Sequence, residues 1–222
     1  MTEGTSPSYS GRRDDMWGFD EGIRQEGYRR IAGVDEVGRG CLAGSVVAAA
    51  VVLPHEFNDS RIRDSKQLSA SAREFLFDVI TKNAVSYGVG VVGPETIDSI
   101  NILRAALMAM AQAVQNLNEP PDIVLVDGNQ RMPGAVQQVT VKGGDNKSLS
   151  IASASIIAKV YRDRLMCELE MEYPGYGFAS NKGYGSRAHV AALNRFGPCP
   201  VHRRSFAPVR RAAESLPELP LR

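Results

Sequence analysis

Residues 31–40 read Ile31-Ala32-Gly33-Val34-Asp35-Glu36-Val37-Gly38-Arg39-Gly40. The apolar start predicts a strand over 31–37, and the glycines after it predict where it stops. Asp35 and Glu36 break the apolar run. An ionised carboxylate costs several kcal/mol to bury unless a cation or hydrogen-bond donors compensate it. Neighbouring strand residues point to opposite faces, so the two acids can meet only at a strand end or a bulge, which Gly38-Arg39-Gly40 permits. For a single acid, a helix cap or an ion pair is the ordinary explanation.

Outward from this stretch, residues 45–53 (SVVAAAVVL) are apolar on both faces and predict a buried strand ended by Pro54. A polar loop carries Asp64-Ser65-Lys66-Gln67-Leu68. Residues 69–83 predict a helix capped by Ser69, with Phe75, Leu76, Val79 and Ile80 on its apolar face. Residues 84–92 predict a strand closed by Pro94, 95–118 one long helix stopped by Pro120-Pro121, and 122–127 (DIVLVD) a short buried strand ending on Asp127. An edge strand over 136–141 and a long helix over 149–172 follow. A Gly/Tyr-rich loop, a helix over 186–196 and a proline-punctuated tail close the chain. No segment repeats at a fixed period, which excludes solenoids and propellers. Strands first, then strands alternating with helices, predict an α/β layer fold with a mixed central sheet, where ligands meet the strand ends.

Residues 1–26 lack a sustained apolar period and are expected to form a flexible or loosely docked arm, pinned in part by Trp17 and Phe19. The N-terminal residues show no basic segment leading into an apolar one, and the longest apolar run, 46–53, is far short of the roughly 20 residues that span a bilayer. A cytoplasmic protein without a membrane segment is expected. Cys41, Cys167 and Cys199 are an odd set without C-x-x-C spacing, which argues against a disulfide framework or a zinc ribbon. With 26 Lys+Arg against 25 Asp+Glu the 222 residues are nearly neutral, yet from Lys182 onward there are eight Lys/Arg and two Asp/Glu. Such a basic end can grip a polyanion or merely solubilise, while the acidic remainder keeps carboxylates for metals.

Asp145, in Val141-Lys142-Gly143-Gly144-Asp145-Asn146-Lys147-Ser148, can cap the helix that follows or supply a fourth carboxylate. Together with Asp35, Glu36 and Asp127 it would form the oxygen-only set that Mg²⁺ or Mn²⁺ prefers, with no His or Cys to favour zinc. Two ions roughly 3.5–4 Å apart suit phosphodiester hydrolysis. No G-x-S-x-G, G-x-x-x-x-G-K-[ST] or G-x-G-x-x-G occurs, so serine hydrolase, P-loop and dinucleotide readings lack support. Gly38 and Gly40 would let the backbone approach a ribose 2′-OH, and Arg39 would add a phosphate contact. Lys66, Lys147 and Lys182 are further phosphate candidates, although solvated lysines look the same in sequence. Tyr184 suits stacking on a sugar or base, or simple packing. Arg162-Asp163-Arg164 reads as local helix ion pairing. His189 and His202 have no partner at metal-ligand spacing and read as structural or substrate-edge residues.

These residues resemble the signatures of bacterial ribonuclease HII. The resemblance rests on residues 31–40, Leu42-Ala43-Gly44, Asp64-Ser65-Lys66-Gln67-Leu68-Ser69, Val126-Asp127-Gly128, ASASIIAK at 152–159 and Tyr161-Arg162-Asp163-Arg164-Leu165-Met166. Lys182-Gly183-Tyr184 and His202-Arg203-Arg204-Ser205-Phe206 complete it in order, over about residues 30–210. Cys41 and Ser45 depart from it, standing where proline is frequent.

The resemblance implies a ribonuclease H-like fold with a catalytic domain over 27–175 and a basic, helical C-terminal extension over 176–222 packed on it. It implies endonucleolytic cleavage of RNA paired with DNA, and cutting 5′ of single ribonucleotides embedded in duplex DNA, leaving a 3′-hydroxyl and a 5′-phosphate. It further implies a Mn²⁺ or Mg²⁺ site on Asp35, Glu36, Asp127 and Asp145, taking two ions with substrate bound. Ribose sensing falls to Gly38, Arg39 and Gly40, and sugar stacking to Tyr184. A monomer is the default expectation. The rival readings are another metal-dependent nuclease of the same fold, or a non-catalytic nucleic-acid-binding module whose acids only cap helices.

Overall fold

Both faces of the strand over 45–53 are apolar because both are covered. In the computed structural model, which describes residues 16–215, this segment is the fully buried β2 (Val46–Val52). It lies between β1 (Ile31–Val37) and β3 (Ser86–Val92), antiparallel to each; β4 (Ile123–Asp127) runs parallel to β1, and β5 (Gln138–Val141) parallel to β4. The order β3-β2-β1-β4-β5 makes β5 the expected edge strand and the sheet mixed.

The helices are α1 (Met16–Gln25), α2 (Ala70–Asn83), α3 (Pro94–Ile100), α4 (Ile102–Gln115), α5 (Leu149–Glu172), α6 (Phe178–Asn181), α7 (Arg187–Phe196) and α8 (Ala207–Ser215). Val46, Ala48, Ala50 and Val52 of β2 face α4 in one core layer, with Ala32, Val34, Val124 and Val126. Ala49 and Val51 face α5 and α2 in the other. Small side chains in mid-sheet let the helices come close. At Gly33 the approach is extreme: a Cβ there would sit 2.1 Å from the backbone carbon of Ser150, so only glycine admits α5 at this distance.

Three features depart from the expectations. Residues 16–25 are not a loose arm but helix α1, docked through buried Ile23 and Asp20; residues 1–15 lie outside the described residues. Trp17 does pin it, packing on the α2–α5 core and donating from Nε1 to the His55 carbonyl at 3.1 Å. The expected single helix over 95–118 breaks at Asn101, whose φ of 70° ends α3 while its side chain accepts from the Arg104 N–H to cap α4. On α2, Leu76 and Ile80 are buried, but Phe75 is exposed and stacks under Arg61. The proline-punctuated tail contains α8, with Pro208 in the first turn, where a missing N–H costs nothing. No described helix is long and apolar enough to cross a membrane.

Candidate active site

The parallel β1–β4 pairing ends at Val34 opposite Val126, so Asp35 and Asp127 emerge side by side at the same end of neighbouring strands. On the other side, β1 stays in regular register with β2 through Val37, so of the two openings the sequence allowed, a strand end or a bulge, there is no bulge. Strand alternation therefore separates the adjacent acids. Asp35 faces α5, where it accepts from the Ser155 hydroxyl and, through Oδ1, from the Glu36 N–H at 2.8 Å. Glu36 turns to the other face and pairs with Arg39 at 3.0 Å. It shares a cleft of about 60 Å³ with Asp127, Gly128 and Met110.

Asp127 accepts the Gly144 N–H at 2.7 Å, which ties the end of β4 to the short 3-10 turn Gly144–Asn146. Asp145 sits in that turn, buried, accepting from Lys66 Nζ at 3.2 Å. It does not cap α5. Ser148 does that, its side chain accepting from the Ile151 N–H, so the Asp145 carboxylate is left facing the site.

Electrostatics set these acids apart. Burial, with the charges of Glu36 and Asp127, pushes the Asp35 carboxyl well above its usual range. Burial likewise raises Glu36, with Arg39 pulling against it, and raises Asp127, where Asp145 adds repulsion and the Gly144 N–H opposes it. Lys66 is raised: partial burial works against its charge, but Asp145, Asp64 and Asp35 outweigh it. Arg39 and Lys66 thus offset two charges of four, and the remaining deficit is what a hard cation relieves. The donors are all oxygens, and they fit a divalent Mg²⁺- or Mn²⁺-type ion by chemistry. Among the described residues no three His, Cys, Asp or Glu side chains close on one point, so other oxygens would have to complete any coordination sphere.

Beside the acids, Gly38 takes a φ of 98° and packs on Arg162 so tightly that a Cβ would lie 2.2 Å from Nε. Gly40 is open to solvent, with nothing within 4 Å of where a Cβ would be. The segment that follows runs between two others: Cys41 bridges Tyr184, the Leu42 N–H donates to the Gly183 carbonyl at 2.7 Å, and Ala43 bridges His202. Tyr184 is therefore held alongside the Gly-Arg-Gly loop, with its side chain half exposed.

The sequence profile described as "Ribonuclease HII" matches residues 32–209, most of the chain. The chain belongs to the ribonuclease HII family. It is accordingly an endoribonuclease that hydrolyses the RNA strand of RNA–DNA hybrids. A ribonuclease HII from Syntrophotalea carbinolica is 52% identical over 192 residues, 86% of this chain and 92% of the relative. One from Syntrophus aciditrophicus is 55% identical over 188 residues, 85% and 89% of the two chains. The solved ribonuclease H2 from Pyrococcus horikoshii OT3 superposes with a TM-score of 0.70 at 27% identity, over 83% of this chain and 97% of that one. The fold is that of ribonucleases H2 and H3.

The lysines of this ribonuclease HII chain divide three ways. Lys66 reaches Asp145, whereas Lys147 is exposed. Lys182 adopts a left-handed backbone and sends its ammonium to the Asp163 carbonyl and Cys167 Sγ, at 3.3 and 3.2 Å, along α5. Asp163 itself pairs with Lys159 at 2.7 Å, as its helical spacing suggests.

Two arginines carry more than the sequence reading assigned. Arg162 is buried and donates to the carbonyls of Ser45, Lys182 and Ala43 rather than pairing along its helix. Arg203, also buried, donates to the Gly44 carbonyl twice and to the Arg39 carbonyl once. Ser155, likewise unassigned from sequence, links the Asp35 carboxylate to Ser65, the two hydroxyls 3.0 Å apart. The available signal was a run of small hydroxyl residues inside a buried helix.

Proposed function

We propose that this chain cuts RNA–DNA hybrids and also cuts 5′ of single ribonucleotides embedded in duplex DNA, leaving a 3′-hydroxyl and a 5′-phosphate. Asp35, Glu36, Asp127 and Asp145 hold Mn²⁺ or Mg²⁺, two ions when substrate is bound. The observation that carries this reading is the nearness of Asp35 to Asp127 and of Asp127 to Asp145, on two adjacent strand ends and one turn, each close enough to feel the next one's charge, in a setting that raises the first two carboxyls. Ions held by these residues would supply the polarisation that activates water for attack on phosphorus and the charge that shields the leaving oxygen.

The chain's own groups do the rest. The open backbone at Gly40, with Gly38 and Arg39, senses the ribose 2′-OH, and Tyr184 stacks on the neighbouring sugar. Arg39 exchanges Glu36 for a phosphate as substrate arrives. Lys66 and Lys147 contact further phosphates; Lys182 does so only by leaving Asp163 and Cys167. Residues 27–175 form the catalytic unit. Residues 176–222 form the substrate-gripping extension, with exposed Arg187, Arg195, Arg204, Arg210 and Arg211 among its described residues. The protein acts in the cytoplasm as a monomer.

A duplex carrying one ribonucleotide is the decisive substrate. It should be cut once, on the 5′ side of that residue, with Mn²⁺ or Mg²⁺ and not with chelator. Replacing the ribonucleotide by its deoxy form should abolish the cut; equal cleavage of both would end the 2′-OH assignment.

A further inference from the structure

Two buried histidines lie behind Tyr184. His189, in the first turn of α7, and His202, in the turn before Arg203, are 0% and 1% exposed, with their Nε2 atoms 3.1 Å apart. Tyr176 and Phe178 enclose them, ring edges against His202 and His189 respectively. Outer hydrogen bonds fix the tautomers. His189 Nδ1 faces the Tyr184 carbonyl at 2.8 Å, and a carbonyl only accepts, so that nitrogen carries a proton. His202 Nδ1 receives the Cys199 N–H at 3.1 Å, so that nitrogen is bare. Cys199 Sγ also lies 3.1 Å from that nitrogen, where its thiol can only donate, and the one arrangement satisfying all four contacts has His202 Nε2–H donating to His189 Nε2. Both rings are then neutral, as burial favours: His189 is lowered and His202 is pushed down to about 4.

A sealed neutral pair does no acid–base chemistry. What it does is join two segments. One end of the chain of bonds lands on the Tyr184 backbone. The other stands on the residue that bridges Ala43 and precedes Arg203, the clamp on the Arg39 and Gly44 carbonyls. We infer that His189 and His202 are positioning residues for substrate discrimination, holding Tyr184 at a set distance from the Gly-Arg-Gly loop. The inference rests on the proposed stacking role of Tyr184.

Its consequence is selective. On a continuous hybrid, every register places a ribose under the Gly-Arg-Gly loop. With a single ribonucleotide only one register does, and Tyr184 must then stack on the deoxyribose beside it, so a loosened spacing costs more there.

The test compares kcat/KM of the full chain on a single-ribonucleotide duplex and on a uniform hybrid of the same sequence. His189→Gln, whose amide cannot stand where Nδ1 does, should lower the ratio of the two by about tenfold, mainly through kcat, as misplaced reactive groups do. His189→Asn, whose amide nitrogen can take the Nδ1 place but which loses the bond to His202, should lower the ratio less, by about threefold. Tyr184→Ala should lower the ratio as His189→Gln does, and the two together should lower it no further. An equal fall on both substrates with His189→Gln, or additive effects in the double variant, overturns the inference alone. A Tyr184→Ala ratio equal to wild type overturns the stacking role and the inference with it. Independently of folding in the variants, long-range ¹⁵N–¹H spectra of the wild-type histidines should show the Nδ1–H form at His189 and the Nε2–H form at His202; the reverse pattern overturns the relay.

Discussion

Burial and the neighbouring charges of Glu36 and Asp127 raise the Asp35 carboxyl well above its ordinary range, so without a counter-cation the folded chain pays to ionise it. The sign follows from linkage. With the folded-state value above the unfolded one of about 4, the penalty is absent at low pH, grows as pH rises past the unfolded value, and is complete beyond the folded one. Asp35→Asn should therefore reduce cleavage by roughly a thousandfold, the scale of losing one group from a preorganised site. It should also stabilise the metal-free protein near neutrality by about 1 kcal/mol, or 2–4 °C in Tm at this chain length. Calorimetry in chelator reads the second effect, and Mn²⁺ should raise the Tm of wild type more than that of the variant. An Asp35→Asn protein that melts lower than wild type at pH 7 would show that the carboxylate is compensated within the chain.

At the scale of elements, α1 and α5 hold one another. Asp20 of α1 accepts from both the Ser148 and Ser150 hydroxyls and the Ser150 N–H, at 2.6–2.9 Å, beneath the start of α5. That start is where the turn carrying Asp145 ends. Asp20→Ala leaves these buried donors without an acceptor and should cost about 2–3 kcal/mol, read as a lower urea midpoint at constant slope. An unmoved midpoint would mean that α1 is undocked in solution. The sequence of α1 did not announce a helix, because a few apolar residues spread over about two turns are too weak to nucleate one alone. Docking supplies the stability instead. At Asn101 the local signal was equally misleading: helix-forming residues run on both sides, and the break follows from one side chain serving as a cap for the next helix.

Over the whole molecule, stability on the acid side depends on the His189–His202 pair joining the C-terminal segments to the loop after β1. Their folded-state values lie below the unfolded value of about 6.5, so their contribution is complete above that pH and is lost as pH falls toward about 4. The raised carboxyls of Asp20, Asp35, Glu36 and Asp127 titrate in the opposite sense. Subtracting a His202→Gln variant removes their share. The difference in unfolding free energy between wild type and that variant should shrink by about 3 kcal/mol from pH 7 to pH 4. A pH-independent difference would mean that His202 is not buried in neutral form. The basic C-terminal region is also less basic at its surface than its composition suggests, since Arg203 is spent on internal carbonyls.

The chain alone determined the sheet strands and the long helix α5 to its terminal residues, because apolar runs are local facts, and it singled out the carboxylates that interrupt them. Tertiary structure decided which way those acids turn. A regular β1–β2 register puts Asp35 and Glu36 on opposite faces, and Arg39 draws Glu36 aside. It also decided that Arg162 and Arg203 lie inside. Their carbonyl partners stand up to 164 residues away, and no local periodicity reports a hydrogen bond made across that separation.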